Sequence, residues 1–339
     1  MGGAVVHRSA RRYRRARRLR SERRGVVAVI GTLLALLVFF ALFGIFLTQY
    51  VPLWMTDNES AFTSSTATSF AQFKSDVDTQ YVLGVPPTLG APFTISSAGI
   101  PLLAQPTEGI LNFLPSTCPG GFYTTGFATG QPINPAYCVF ENQTLRPGFG
   151  GSGYLTFEVT TGLLTMQLPN RYYPMQNFVY EADGVIQVQS SAYQIMAYAP
   201  PFNMTRIAGN TTVSSSFLQL YGNATSVIGQ GSEEVYSHLR FTQHVAYNGY
   251  NSTTRVLRPF NYTYEIGTQF PCAWSQFLWS QLNVSGIPSS QYTITANPST
   301  YSCINSNGAT TVLTLALTAV NYVSIFYAGT QVSVGIGSS

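Results

Sequence analysis

The sequence predicts an α+β protein, in which a long N-terminal transmembrane and stalk helix precedes a β-rich ectodomain of antiparallel, sandwich-like character. Three observations predict it. Residues 26–56 run 31 positions without a charged side chain, and residues 57–83 place apolar side chains at three- and four-residue steps. From Gly153 onward apolar residues recur at every second position between turn-forming clusters.

The first element is a membrane span. An α-helix rises about 1.5 Å per residue, so the roughly 22 residues from Val26 to Leu47 already cross a hydrocarbon core of about 30 Å. Residues 26–55 are assigned to the transmembrane helix, with the lipid bilayer as its partner. The preceding residues 1–25 carry ten arginines, at 8, 11, 12, 14, 15, 17, 18, 20, 23 and 24, against one acid, Glu22. Such a cluster beside a span stays on the cytoplasmic side, which makes 1–25 a basic cytoplasmic leader and places everything after Trp54 outside. Tyr50 and Trp54 fall where amphipathic rings favour the outer interface, and Pro52 marks a freed backbone carbonyl that needs another donor. A cleaved secretory signal would have a shorter apolar run and a small-residue site after it. Phe46-Leu47-Thr48-Gln49-Tyr50 offers no such site.

The formal charge of +4 conceals a division: residues 1–25 contribute +9 and the remainder −5. Basic residues gathered in one arm beside a span face anionic lipid rather than a nucleic acid, so no nucleic-acid partner is expected. Beyond the leader only Lys74 and arginines 146, 171, 206, 240, 255 and 258 are cationic. Surface polarity must then come from Ser, Thr, Asn, Gln and Tyr, an exoplasmic composition. Eight of the 17 asparagines open an Asn-x-Ser/Thr triplet: Asn58, Asn142, Asn203, Asn210, Asn223, Asn251, Asn261 and Asn283. This is roughly twice the chance number, all of it after the span, and reads as glycan acceptors. A Ser/Thr-rich β-protein also produces such triplets by composition alone. Cys118, Cys138, Cys272 and Cys303 lie on the same outer side, where oxidation is permitted. Of three pairings, closure of the shorter loops favours 118 with 138 and 272 with 303, each stabilising by about 3 kcal/mol. No Cys-x-x-Cys or close Cys/His spacing supports zinc.

After the span, Phe62, Thr66, Phe70, Phe73, Val77 and Tyr81 form an apolar stripe on an amphipathic helical extension over 56–83. Either the same chain or neighbouring copies of the helix must cover it. Gly84-Val85-Pro86-Pro87 stops the helix and opens the disulfide-containing ectodomain, 84–339, whose first part to about Gly150 reads as irregular. Leu155 to Val159 and Leu164 to Leu168 around Thr161-Gly162 read as a hairpin. Phe178 to Glu181 and Val185 to Gln189 around Ala182-Asp183-Gly184 read as a second, and Asn248-Gly249 suits a tight primed turn. Three further strands are expected at Val312–Thr318, Tyr322–Tyr327 and Val332–Ile336.

Residues suited to catalysis are scarce, and the chain is read as a non-enzyme without cofactor or metal. His238 and His244 stand six apart on one strand, which would put them on one face and permit a two-His metal pair with Glu233 or Glu234. Solvent-facing or hydrogen-bonded histidines are the commoner case. No Gly-x-Ser-x-Gly elbow occurs, and Gly148-Phe149-Gly150-Gly151-Ser152-Gly153 lacks the Lys of a phosphate loop. Glu181 and Asp183 flank a turn and are expected to be solvated.

The run Arg23-Arg24-Gly25-Val26-Val27-Ala28-Val29-Ile30-Gly31-Thr32-Leu33-Leu34 resembles the start of archaeal type IV pilin-like proteins over about a tenth of the chain. The resemblance implies a class III signal peptide cut by a prepilin-type peptidase between Gly25 and Val26, and self-association with other pilin-like subunits through the exposed helix. Gly31, Ala35, Ala41 and Gly44 would allow close helix approach. Val27-Ala28 stand where many archaeal members have Ser-Pro, and Ile30 where bacterial pilins have Glu. The large ectodomain points to a minor filament subunit or adhesin. The alternatives are an envelope binding protein that keeps its leader, or, less favoured, a surface hydrolase.

Overall fold

The structure is a computed structural model that describes residues 29–84, 87–115, 140–146, 155–189, 193–251, 256–297 and 310–335. It divides into two compact units. One holds the described residues up to Thr56 together with Ile100–Gln105, and the other holds Asp57–Gly99 and the residues from Pro106 onward.

Helix α1 runs over Val29–Leu83, 55 residues long. Within it Phe46–Tyr50 form a π turn, closed by the Val51 N–H donating to the Phe46 carbonyl. Pro52 explains this turn: it brings no N–H to the ladder, so the helix widens just before it. The Thr48 hydroxyl donates to the Gly44 carbonyl at 2.8 Å on the same stretch. Gly84 ends the helix in the left-handed conformation at φ 62°, its N–H donating to the Gln80 carbonyl.

The chain then forms β1 (Thr88–Thr94), β2 (Ile110–Leu114), β3 (Phe140–Arg146), β4 (Leu155–Thr160), β5 (Leu163–Leu168), β6 (Gln176–Glu181), β7 (Gly184–Gln189) and β8 (Gln194–Tyr198). It continues through β9 (Asn203–Ile207), β10 (Asn210–Gly222), β11 (Thr225–Ile228), β12 (Ser232–Asn248), β13 (Tyr250–Asn251), β14 (Val256–Leu257) and β15 (Phe260–Thr268). Helix α2 (Pro271–Ser285) precedes β16 (Tyr292–Asn297) and β17 (Thr311–Val334). A nine-stranded sheet follows the order β1-β12-β17-β15-β3-β4, with β10 and β16 also on β17 and β9 on β10. A six-stranded sheet runs β11-β2-β5-β6-β7-β8. Pairing is antiparallel throughout these strands except for β10 with β17, which is parallel. The protein is thus one long apolar N-terminal helix followed by a mostly antiparallel β domain.

Strand β17 replaces the three separate C-terminal strands expected from the sequence. Its first half lies between β15 and β16, its second half between β12 and β10. Ala319, at φ 63°, marks the change of partners. One left-handed residue lets the strand bend without ending. The hairpin expected around Thr161-Gly162 is also corrected, because β4 pairs with β3 in one sheet and β5 with β2 and β6 in the other. Gly162 passes so close that a Cβ would lie 2.9 Å from the Leu114 carbonyl oxygen. Gly249 likewise serves close approach rather than a tight turn: it separates β12 from β13, and the Arg258 N–H donates to its carbonyl at 2.9 Å.

Two apolar clusters fill the second unit. Phe62, Phe70, Phe73 and Val77 of α1 pack with Phe93, Phe113, Met166, Phe178 and Tyr180. The opposite faces of β6 and β7 contribute Val179 and Ile186 to the other cluster, which includes Trp274 of α2 and Leu313, Leu315 and Leu317 of β17. Strands β6 and β7 of the smaller sheet are therefore buried on both faces. The stripe of α1 that needed a cover finds it in its own chain. Phe70 meets Phe93 edge-on at 5.1 Å between centroids, and Phe73 meets Tyr180 in the same way at 5.1 Å.

Candidate functional site

Two features stand out, and each belongs to its own unit. In the first, Leu33, Leu36, Leu37, Phe39, Phe40 and Leu42 of the apolar part of α1 are all exposed among the described residues. The helix is long and apolar enough to cross a membrane, and the most apolar stretch is wholly uncovered. An uncovered stretch of this kind is disfavoured in water and stable in lipid or against other apolar helices.

The second feature is a chain of polar groups along the covered face of α1. Glu59 begins it: its carboxylate accepts from the Thr107 hydroxyl at 2.6 Å and from the backbone N–H groups of Arg171, Tyr172 and Tyr173 at 3.0, 2.7 and 2.7 Å. Burial raises the pKa of this carboxyl, but these donors together outweigh it and hold the group below its ordinary range. Further along, the Ser69 hydroxyl donates to the Pro92 carbonyl at 2.6 Å and the Gln80 amide to Pro87 and Ser237 carbonyls at 2.7 and 2.9 Å.

Lys74 lies between them and is the centre of the site. Its ammonium donates to both oxygens of Asp78, one turn along, at 3.2 and 3.0 Å, and to Asp183 Oδ1 at 3.2 Å. Asp183 arrives from the β6–β7 turn, where Ala182 and Asp183 hold φ of 47° and 60°. Two non-glycine residues in the left-handed region are a costly way to build a two-residue turn. Here the Asp183 carboxylate also accepts from the Tyr180 hydroxyl at 2.8 Å and from Ser216 at 3.3 Å. Those bonds fix the turn in the interior. The expectation that Glu181 and Asp183 are solvated is overturned, since they are 0% and 3% exposed. The turn is buried because both of its strands are sandwiched between the apolar clusters.

Burial and the charge of Asp183 push Asp78 up to about 7, with Lys74 opposing the shift. Burial lowers Lys74, but Asp183 and Asp78 more than offset this, leaving it above its usual range. The Asp78 side chain is 37% exposed against 4% for Asp183, so it forms the outer edge of the cluster. There an open cleft of about 650 Å³ is lined by Lys74, Asp78, Thr79, Val82, Ala197 and Tyr198. Deeper in, burial pushes Glu181 up to about 7 against hydrogen bonds from Thr268 and from Trp274, whose Nε1–H donates at 2.9 Å. Glu141 is driven well above the carboxylate range by burial, although the Tyr264 hydroxyl donates to it at 2.6 Å.

The structure separates the two histidines. Both lie on β12, but an irregularity between Leu239 and Phe241 places His238 opposite Gln331 and His244 opposite Phe326. Those partners are five apart on β17, so the rings face opposite sides and the two-His pair on one face is corrected. His238 Nδ1 lies 3.1 Å from the Thr88 hydroxyl, while His244 hydrogen-bonds Ser324 at 2.9 Å and stacks on Phe326. Among the described residues no group of three metal-ligating side chains converges.

Of the acceptor asparagines, Asn203, Asn210, Asn223, Asn261 and Asn283 are exposed. Asn58 is half-buried, its amide donating to the Ala98 carbonyl at 2.9 Å. The side chains of Asn142 and Asn251 lie outside the described residues, as do Gly25, Val26, Cys118, Cys138, Cys303 and the run Gly148–Gly153. Cys272, near the start of α2, is disulfide-bonded. Comparison with protein families, curated proteins and solved structures finds no match.

The Lys74 cluster was not singled out from the sequence. One signal was there to find: Lys74 is the only lysine in 339 residues. It stands inside an apolar helical stripe with an acid four residues on, a position where a cation needs a buried partner.

Proposed function

We propose that this protein is a single-span, pilin-like surface protein, with residues 1–25 as a cytoplasmic leader removed by a prepilin-type peptidase and its β domain outside the cell. The observation that carries this reading is the uncovered apolar helix from Val29 to Tyr50, beside ten arginines in residues 1–25. The stripe from Phe62 to Tyr81 packs within its own unit, so lipid contact and self-association fall to the part before it. The domain outside serves contact with the surroundings as a minor filament subunit or adhesin. Glycans on the sequon asparagines are supported by the exposure of Asn203, Asn210, Asn223, Asn261 and Asn283. Disulfides are assigned between Cys118 and Cys138 and between Cys272 and Cys303, on the shorter-loop argument. No catalysis on an external substrate is assigned to any residue.

N-terminal sequencing of the protein purified from native membranes tests the central claim. A first residue of Val26 supports processing and filament membership; an intact Met1 assigns the chain instead to an anchored envelope binding protein. Protease added to sealed cells should degrade the β domain. A domain untouched by protease in sealed cells and cleaved after lysis overturns the outward orientation.

A further inference from the structure

The Lys74 cluster has no part in anchorage or processing, and its geometry suits covalent chemistry. An amine and two carboxyls meet within hydrogen-bonding distance, with Lys74 8% and Asp183 3% exposed. Two opposite charges withdrawn from water recover only part of their lost hydration from each other. Condensing the amine with a carboxyl replaces both charges by one neutral amide, so burial itself favours the joined product. We propose that Lys74 Nζ and Asp183 Cγ become linked by an intramolecular isopeptide bond, with Asp78 as the catalytic proton carrier.

The step balances within these residues. Asp78 takes a proton from the Lys74 ammonium and passes it to Oδ2 of Asp183, and the freed Nζ lone pair attacks Cγ of the now neutral carboxyl, forming the N–C bond. The Tyr180 hydroxyl, donating to Oδ1 at 2.8 Å, stabilises the negative charge that develops there. Oδ2 then leaves as the C–O bond breaks. It departs as water with two of the three ammonium protons, one delivered by Asp78; the third stays on the amide nitrogen, and Asp78 ends as it began. Asp78 suits the exchange because it contacts Nζ and titrates near neutrality. Its outer edge adjoins the open cleft, which gives the water an exit. Within the unreacted ion pair the two carboxylates hold the proton on Lys74, so the amine becomes nucleophilic only through transfer to Asp78. The product ties α1 covalently to the β6–β7 turn, inside one compact unit. This inference does not depend on the pilin-like reading, and either can fail alone.

Peptide mapping by mass spectrometry on the full-length protein, purified in detergent, decides it. The expected result is a pair of peptides carrying Lys74 and Asp183 that stay joined after reduction and weigh one water, about 18 Da, less than their sum. Because the chain has a single lysine, an amine-reactive reagent applied to the denatured protein should label the N-terminus alone. Separate peptides at full mass, with Lys74 labelled, show an ordinary ion pair and overturn the proposal. Asp183→Asn keeps the shape of the electrophile and should condense with loss of ammonia, about 17 Da, a signature that simple misfolding does not produce. Lys74→Arg keeps the charge and should give separate peptides. Asp78→Asn should leave the peptides unjoined; undiminished joining there overturns its role as proton carrier.

Discussion

Glu59 and Glu181 are both fully buried carboxyls, yet their surroundings drive them in opposite directions. Four donors favour ionised Glu59, so its folded pKa lies below the ordinary 4.5, and its contribution is present above that value and lost as pH falls through the folded one. Glu59→Gln is expected to cost about 2 kcal/mol at neutral pH, as a neutral acceptor replaces a charged one, and to flatten the acid limb of urea-unfolding stability below pH 4.5. Glu181 behaves conversely. Its folded pKa of about 7 exceeds the ordinary 4.5, so the folded state holds the extra proton, and stability falls as pH rises between those values before levelling off. Glu181→Gln should remove that decline. Fluorescence of Trp274, which donates to this carboxyl, should titrate near pH 7 in the parent protein and not in the variant. Neither environment was legible from the residues themselves. The turn at 182–183 was readable from Ala-Asp-Gly, but burial of a turn is decided by what packs around it, and three of the four donors to Glu59 come from a segment more than 100 residues away.

At the scale of elements, periodicity exposed what is local and missed what is not. The stripe Phe62, Phe70, Phe73, Val77 was readable because a helix repeats its face within a few residues, and these four do enter the core. Phe70 is 0% exposed and touches both Phe93 and Phe178. Phe70→Ala should therefore cost about 3–5 kcal/mol, read as a lower urea midpoint with an unchanged slope. A slope that falls with the midpoint would show instead that the helix detaches as a separate step. Pairing between strands carries no comparable local mark. Leu155–Val159 and Leu164–Leu168 have the pattern of a hairpin and yet enter different sheets. Counting six residues from His238 to His244 gives the wrong face, because the irregularity at Arg240 adds one residue that no periodicity announces.

For the whole molecule, the division into an apolar helix and a β domain followed from charge and pattern alone, while the role of Thr311–Val334 did not. Its apolar alternation reads as ordinary strand, but four other strands lean on it: β10, β12, β15 and β16. A chain stopped before Thr311 should lose near-ultraviolet circular dichroism and bind a hydrophobic dye, since β16 and β10 would keep few or no neighbours. A truncated chain with native-like near-ultraviolet signal would show that the smaller sheet and α1 suffice for a folded core.

That dependence sets a timetable for biogenesis. The larger sheet cannot close while its hub is still being synthesised, and contacts so distant in sequence form slowly. Until then the emerging domain keeps unpaired strand edges, which invite chaperones or, at high expression, precipitation.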